Sequence, residues 1–196
     1  LIPEANPDHL VLLLAQRRHH GWEGALITAP NCTTTVLTMA LCPLHREFTL
    51  RAVHAVSMQG LSGAGHPGVS ALDIIDNVLP HIGGEEEKLC AEPRKLLGTF
   101  SDEGVTEAPF AISAQCNRVP VREGHLICVN ATFARRPAVE DVIAALEAFE
   151  APAVADLPSA PPRPLLVTRE PGRPQPRLDR DANGGMSIVV GRVQPS

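Results

Sequence analysis

The chain has 196 residues, 44% of them hydrophobic and 20% charged, with a formal net charge of −5. This is the composition of a globular domain with an apolar core, and it excludes a long disordered chain or a collagen-like one. The acidic balance argues against a nucleic-acid partner, because no basic excess exists to neutralise phosphates, and no run of roughly 18 apolar residues is present to span a membrane.

In chain order, Asn6-Pro7 predicts a helix start, with Asn as N-cap and Pro at the first helical position. Leu10, Leu13, Leu14 and Arg17 follow at helical spacing, and Gly21 closes the helix. Ala25-Leu26-Ile27-Thr28 reads as a short apolar strand running into Ala29-Pro30-Asn31-Cys32. Val36, Leu37, Ala40 and Leu41 predict a second helix from Thr33 that stops near Pro43. Residues 50–59 read as a strand ending in the glycine-rich Gln59-Gly60-Leu61-Ser62-Gly63-Ala64-Gly65. Ser70 with Asp73 resembles a capping box, opening a helix that carries Leu72, Ile75 and Leu79. Glu85-Glu86-Glu87-Lys88 starts another, acidic at its N-terminus as the dipole favours, with Pro93 expected to break or bend it. Strands are expected over residues 110–116 and 125–133. Val139, Val142, Ile143, Leu146 and Phe149 mark an amphipathic helix, and strands follow over 165–168 and 186–193.

Residues 151–176 hold eight of the 19 prolines. A low-complexity linker is one reading. The specific run Arg173-Pro174-Gln175-Pro176-Arg177-Leu178-Asp179 favours an ordered, extended surface crossing over residues 151–180. Helices and strands mix without strict βαβ alternation. The expected fold is therefore α+β, with a mixed, mostly antiparallel sheet and flanking helices.

Five cysteines, Cys32, Cys42, Cys90, Cys116 and Cys128, form no CxxC pair. Neither a zinc knuckle nor a dithiol redox site is encoded, the histidines lack metal-ligand spacing, and no metal is expected. His19 and His20 fall at a helix end, where positive charge suits the carbonyl dipole. Reduced thiols, and the lack of a basic leader in Leu1-Ile2-Pro3-Glu4, point to the cytoplasm.

Cys32 sits at or next to a helix N-terminus. The dipole and free N–H groups there stabilise a thiolate and can hold an oxyanion. A buried small hydrophobe is the alternative, and it is the reading given to the other four cysteines. A nucleophilic Cys needs a proton-transfer partner, and His125 is the candidate. A turn at Glu123-Gly124 can return His125 to the side faced by Arg118, whose forked donors suit a carboxylate. The segment 59–65 is not a dinucleotide fingerprint, since Pro67-Gly68 interrupts the required strand–helix context. A loop permitting close backbone approach to a ligand and a plain turn both fit it.

Five segments together carry a resemblance: Ala29-Pro30-Asn31-Cys32, residues 57–65, Glu85-Glu86-Glu87-Lys88, residues 116–125 and residues 173–179. In order and spacing they resemble aspartate-semialdehyde dehydrogenase, closest to its archaeal/fungal-type branch, from Pro3 to Arg192. That family joins an NADP-binding Rossmann domain to a catalytic and dimerisation domain similar to that of glyceraldehyde-3-phosphate dehydrogenase. This chain, residues 1–196, looks like the second part only. Leu1-Ile2 would be the tail of a Rossmann strand, and the family's C-terminal helix would follow Val193.

The resemblance implies NADPH-dependent reductive dephosphorylation of L-4-aspartyl phosphate to L-aspartate 4-semialdehyde, a step toward lysine, threonine and methionine. It implies Cys32 as the thioacyl-forming nucleophile, His125 as acid/base and Gln59 as the active-site glutamine. Arg118 would clamp the substrate α-carboxylate and Glu86 its ammonium, while Lys88 and Asn31 would contact phosphate. Ser62 and Gly63 would approach the nicotinamide half of NADP. It also implies a homodimer or homotetramer, negligible turnover by this chain alone, and no nucleic-acid or membrane partner. Two alternatives remain. One is a malonyl- or succinyl-CoA reductase sharing the thioester logic, in which the Glu86 position would be idle. The other is a non-catalytic dimerisation or interaction fragment.

Overall fold

The computed structural model describes residues 1–101 and 104–195. A 3-10 turn, Pro7–Val11, leads into α1 (Leu12–His20), which Gly21 ends in the left-handed region at φ 67°. Asn6 precedes this helix but does not cap it. Its side chain is spent instead on the Ile2 N–H at 2.8 Å and on His9 at 3.0 Å. Residues 25–28 form no strand, and Leu26 is 95% exposed. Among the described residues this apolar run has no neighbouring strand to complete a ladder. Only the Thr28 carbonyl is engaged, by the Leu1 ammonium at 2.9 Å.

The α2 helix (Cys32–Phe48) starts one residue earlier than expected and runs straight through Pro43. A mid-helix proline costs about 3 kcal/mol. Burial outweighs that cost here, because α2 is wedged between two cores. Leu37 and Leu41 face one, which also holds Leu50, Val53, Leu89 and Phe110. Met39, Cys42, Leu44 and Phe48 face the other, with Leu146, Phe149 and Leu165.

β1 (Leu50–Gln59) is followed by a 3-10 turn at Leu61–Ala64. The helix expected after Ser70 is a single turn, α3 (Ala71–Ile74). Ile74 is buried, but Leu72 is 92% and Ile75 67% exposed, so the expected apolar face does not form and cannot extend the helix. The backbone turns at Asp76 (φ 55°), and Leu79 instead bridges Arg118. α4 (Glu85–Leu96) continues past Pro93, which is itself buried. A short antiparallel pair follows, β2 (Thr99–Ser101) and β3 (Gly104–Thr106), too brief to show as a sequence pattern. Then come β4 (Ala111–Arg118), β5 (His125–Phe133) and α5 (Val139–Glu147).

The proline-rich segment carries a 3-10 turn at Pro152–Val154, β6 (Leu165–Thr168) and the one-turn α6 (Pro176–Asp179). β7 (Ile188–Gly191) pairs with β6 in parallel.

The main sheet is mixed, in the order β4-β1-β5. β1 runs parallel to β4 and antiparallel to β5. Alternation along β1 buries Leu50, Val53, Ala55, Ser57 and Gln59 and exposes Arg51, His54 and Val56. Helices therefore cover one face, and the other stays open. Its register places Gln59 opposite both Arg118 on β4 and His125 on β5. Three functional candidates thus share one row at the end of the sheet. Among the described residues no helix is long and apolar enough to cross a membrane.

Candidate active site

Asn31 fixes the start of α2. Its Oδ1 accepts from Thr33 N at 2.9 Å and Thr34 N at 3.2 Å, two of the orphan donors of a helix N-terminus. The Cys32 N–H has no hydrogen-bond partner among the described residues. It is left free beside the thiol, where the helix dipole favours negative charge.

Cys32 is solvent-exposed, and its Sγ lies 3.2 Å from His125 Nε2. The hydrogen bond from His125 pulls the Cys32 thiol below its ordinary range and outweighs burial, which acts the other way. The same contact raises the imidazole, against the opposing effect of burial. Cys42, Cys90 and Cys116 show the opposite behaviour, each pushed up by burial. Cys32 is thus set apart from them by its environment.

The far side of His125 is also held. Gly60 N–H is shared between Nδ1 at 3.1 Å and the Gly124 carbonyl at 3.1 Å, so the backbone holds this side of the ring and leaves Nε2 facing sulfur. Gly60 has no room for a side chain. A Cβ there would lie 2.6 Å from the Gly124 carbonyl oxygen and 3.0 Å from that of Val121. This contact docks the end of β1 onto the β4–β5 turn. The turn does what Glu123-Gly124 suggests: β4 ends at Arg118, β5 begins at His125, and the two flank Gln59.

Arg118 is 4% exposed, with Nη1 on the Gly60 carbonyl at 2.7 Å. Among the described residues no carboxylate pairs with it. A buried cation without a counter-ion is costly, and the cost falls when an anion arrives. Gly63 lies against this group. A Cβ on it would come within 3.0 Å of Arg118 Nη1 and 3.1 Å of His125 Cε1. The exposed Ser62-Gly63 backbone therefore forms a lip without side-chain bulk beside the Cys–His pair.

The acidic member of the site is Glu85, not Glu86. Glu85 is 9% exposed and accepts from Asn31 Nδ2 at 2.9 Å, Gln59 Nε2 at 3.2 Å and Lys88 Nζ at 3.3 Å. Burial pushes this carboxyl up, but the three donors together outweigh it and hold it below the ordinary range. Glu86 turns to the sheet edge, where it accepts the Cys116 N–H of β4 at 3.1 Å. The two differ because Glu85 falls in line with the buried stripe Leu89, Pro93 and Leu96. That stripe was visible in the sequence, and a carboxylate in it was the missed signal.

Lys88 reaches the site through Glu85. Gln59 faces Glu85 and also contacts Ser57 Oγ at 3.3 Å, rather than bonding to Cys32. The amide of Asn31 is committed to its cap and to Glu85. The structure thus gathers Cys32, His125, Gln59, Arg118, Asn31, Lys88, Ser62 and Gly63, and it leaves Glu86 outside.

The family model for the semialdehyde dehydrogenase dimerisation domain matches residues 41–196. The chain is 50% identical over 194 residues to aspartate-semialdehyde dehydrogenase of Archaeoglobus fulgidus, covering 99% of this chain and 55% of that protein. It is 44% identical over 195 residues to the enzyme of the same name from Methanothermobacter thermautotrophicus, covering 99% and 56%. Its fold matches the crystal structure of aspartate semialdehyde dehydrogenase with NADP from Candida albicans, with a TM-score of 0.88 and 38% identity, covering 100% of this chain and 57% of that one. The chain thus spans little more than half the length of the relatives it matches.

Proposed function

Since this chain belongs to the semialdehyde dehydrogenase family through its dimerisation domain, we propose that it supplies the catalytic half of an aspartate-semialdehyde dehydrogenase. The observation that carries this reading is the exposed Cys32 thiol, 3.2 Å from His125 at a helix N-terminus, beside a buried guanidinium with no carboxylate partner among the described residues.

In this reading the Cys32 thiolate attacks the acyl carbon of L-4-aspartyl phosphate. A C–S bond forms, the C–O bond to phosphate breaks, and inorganic phosphate leaves. The free Cys32 N–H is placed to hold charge on the acyl oxygen during attack. Arg118 binds the α-carboxylate through its forked donors. Glu85, kept ionised by its donors, receives the substrate ammonium, and Lys88 lies where it can meet the phosphate. His125 holds a proton at Nε2 between the attacking sulfur and the acyl oxygen.

NADPH, when bound, supplies the hydride that takes the thioester to the aldehyde. The bare Ser62-Gly63 lip fits its nicotinamide end, since a Cβ at Gly63 would fill the space next to His125. An ionised carboxylate inside the site favours an amino-acid substrate over a CoA thioester, which has no ammonium to place there.

The open face of the sheet fits pairing of two copies. On that face Val56, 38% exposed, stands opposite exposed Cys128 on β5, an uncovered surface in a cytoplasmic homodimer reading. The direct experiment is a chimera joining this chain to the remaining part of the Archaeoglobus fulgidus relative. NADPH oxidation with aspartyl phosphate, lost on Cys32→Ser, is expected. Activity on malonyl-CoA alone would instead support the CoA reductase reading.

A further inference from the structure

Asp179 is a buried carboxylate that the reaction does not use, and its contacts lead to His125. The link begins at the 121–124 turn, which delivers His125 to the site. One side of this turn rests on the backbone after β1: Leu61 N–H donates to the Val121 carbonyl at 2.7 Å and Ser62 N–H to that of Arg122 at 3.0 Å. The other side rests on α6. Gly124 has φ 92°, and a Cβ on it would lie 3.2 Å from Pro176 Cβ and 3.5 Å from Arg180 Cβ. Arg180 Nη1 also donates to the Glu123 carbonyl at 3.3 Å.

A single helical turn does not hold itself in water. Asp179, 8% exposed, is what holds α6. It accepts from Gln175 N–H, and from Arg173 through Nε at 2.9 Å and through Nη2. These bonds tie the entry of α6 to its end.

We propose that Asp179, clamped by Arg173, is a positioning residue for His125: it seats Pro176 and Arg180 against Gly124 and so sets the Nε2–Sγ approach. The inference rests on the reading of Cys32 and His125 as the reacting pair. It assigns a task to the Arg173–Asp179 motif that the site chemistry leaves without one.

The test is alkylation of this chain by iodoacetamide against pH, followed at each cysteine by peptide mapping. In Asp179→Asn the Cys32 rate near neutral pH is expected to fall about tenfold, with the pH midpoint moving up toward that of an ordinary thiol, because small displacements of reacting groups have large rate effects. Cys90, half-buried on α4 and away from the open sheet face, serves as the reference and should not change. Buried Cys42 and Cys116 report on folding, and their continued protection shows that the loss is local. If they become labelled, Pro176→Gly takes over: it removes the contact on Gly124 and leaves the Arg173–Asp179 pair in place, with the same loss expected.

An unmoved Cys32 midpoint in a folded Asp179→Asn, or in Pro176→Gly, overturns the inference. An ordinary-thiol profile already in the unsubstituted chain overturns the reacting-pair reading instead. The positioning role is then decided on the His125 ring alone, whose NMR titration must shift in Asp179→Asn for the role to stand.

Discussion

His125 Nε2 lies 3.2 Å from Cys32 Sγ, while Gly60 N–H donates to Nδ1 on the opposite side of the ring at 3.1 Å. The imidazole is thus fixed by the backbone at one nitrogen and turned to sulfur with the other. The Cys32 pKa is lowered, so the thiolate persists above that lowered value and is lost as pH falls through it. The His125 pKa is raised, so the imidazolium persists below that raised value and is lost as pH rises through it. Both shifts run toward the thiolate–imidazolium pair, in which the protonated Nδ1 donates to the Gly124 carbonyl. Iodoacetamide should therefore alkylate Cys32 at lower pH than Cys90, whose thiol burial pushes up. His125→Ala should slow Cys32 near neutral pH by about tenfold or more, since each pKa unit is a factor of ten in thiolate. Equal rates at both cysteines in the unsubstituted chain would sink the idea of a primed thiol.

Arg118 tests carboxylate recognition. Arg118→Lys keeps the charge but loses the fork and the bond to the Gly60 carbonyl. In the full two-part enzyme, KM for aspartyl phosphate should rise about 10- to 100-fold, the range of a lost charge-assisted hydrogen bond. Steady-state kinetics decides. An unchanged KM removes Arg118 from the binding role.

The two neighbouring carboxylates should behave differently. Glu85→Gln removes the ionised group that faces Asn31, Gln59 and Lys88, and it should raise KM about tenfold or more. Glu86→Gln keeps an acceptor for the Cys116 N–H and should leave KM within about twofold. The reverse ranking would return the ammonium contact to Glu86.

Gly60→Ala places a methyl group 2.6 Å from the Gly124 carbonyl oxygen, where only backbone can yield. A cost of about 1–3 kcal/mol is expected, typical of overpacking. Thermal melting measures it, and the Cys32 alkylation profile should move toward an ordinary thiol in the same variant. A melting point unchanged from the parent chain is the contrary result.

Val56→Arg places a charge at the centre of the open sheet face. A dimer formed there should dissociate, because an unpaired charge within an interface is costly. Sedimentation equilibrium of the two forms provides the comparison. A variant that stays dimeric moves the interface elsewhere.

Much of the site was legible because it depends on local chemistry. Ala29-Pro30-Asn31-Cys32 leads into a helical pattern, so Cys32 reads as lying at or next to a helix start, and Glu123-Gly124 reads as the turn that aligns His125 with Arg118. What escaped depends on tertiary packing. Pro43 looks like a stop until both sides of α2 prove to be buried. Ala25-Leu26-Ile27-Thr28 looks like a strand, yet no described strand lies beside it. Within Glu85-Glu86-Glu87, composition is uniform, and only the line through Leu89, Pro93 and Leu96 distinguishes the inward carboxylate.

The antiparallel ladder between β1 and β5 also has a kinetic consequence. Cys32 and His125 stand 93 positions apart, and His125 enters the site only as β5 zips along β1. Such long-range pairing forms late, because the loop-closure entropy must be met first. During synthesis Cys32 emerges well before His125 and behaves as an ordinary thiol. The reactive thiolate is thus withheld from the growing chain, and from its truncated products, until the sheet has closed.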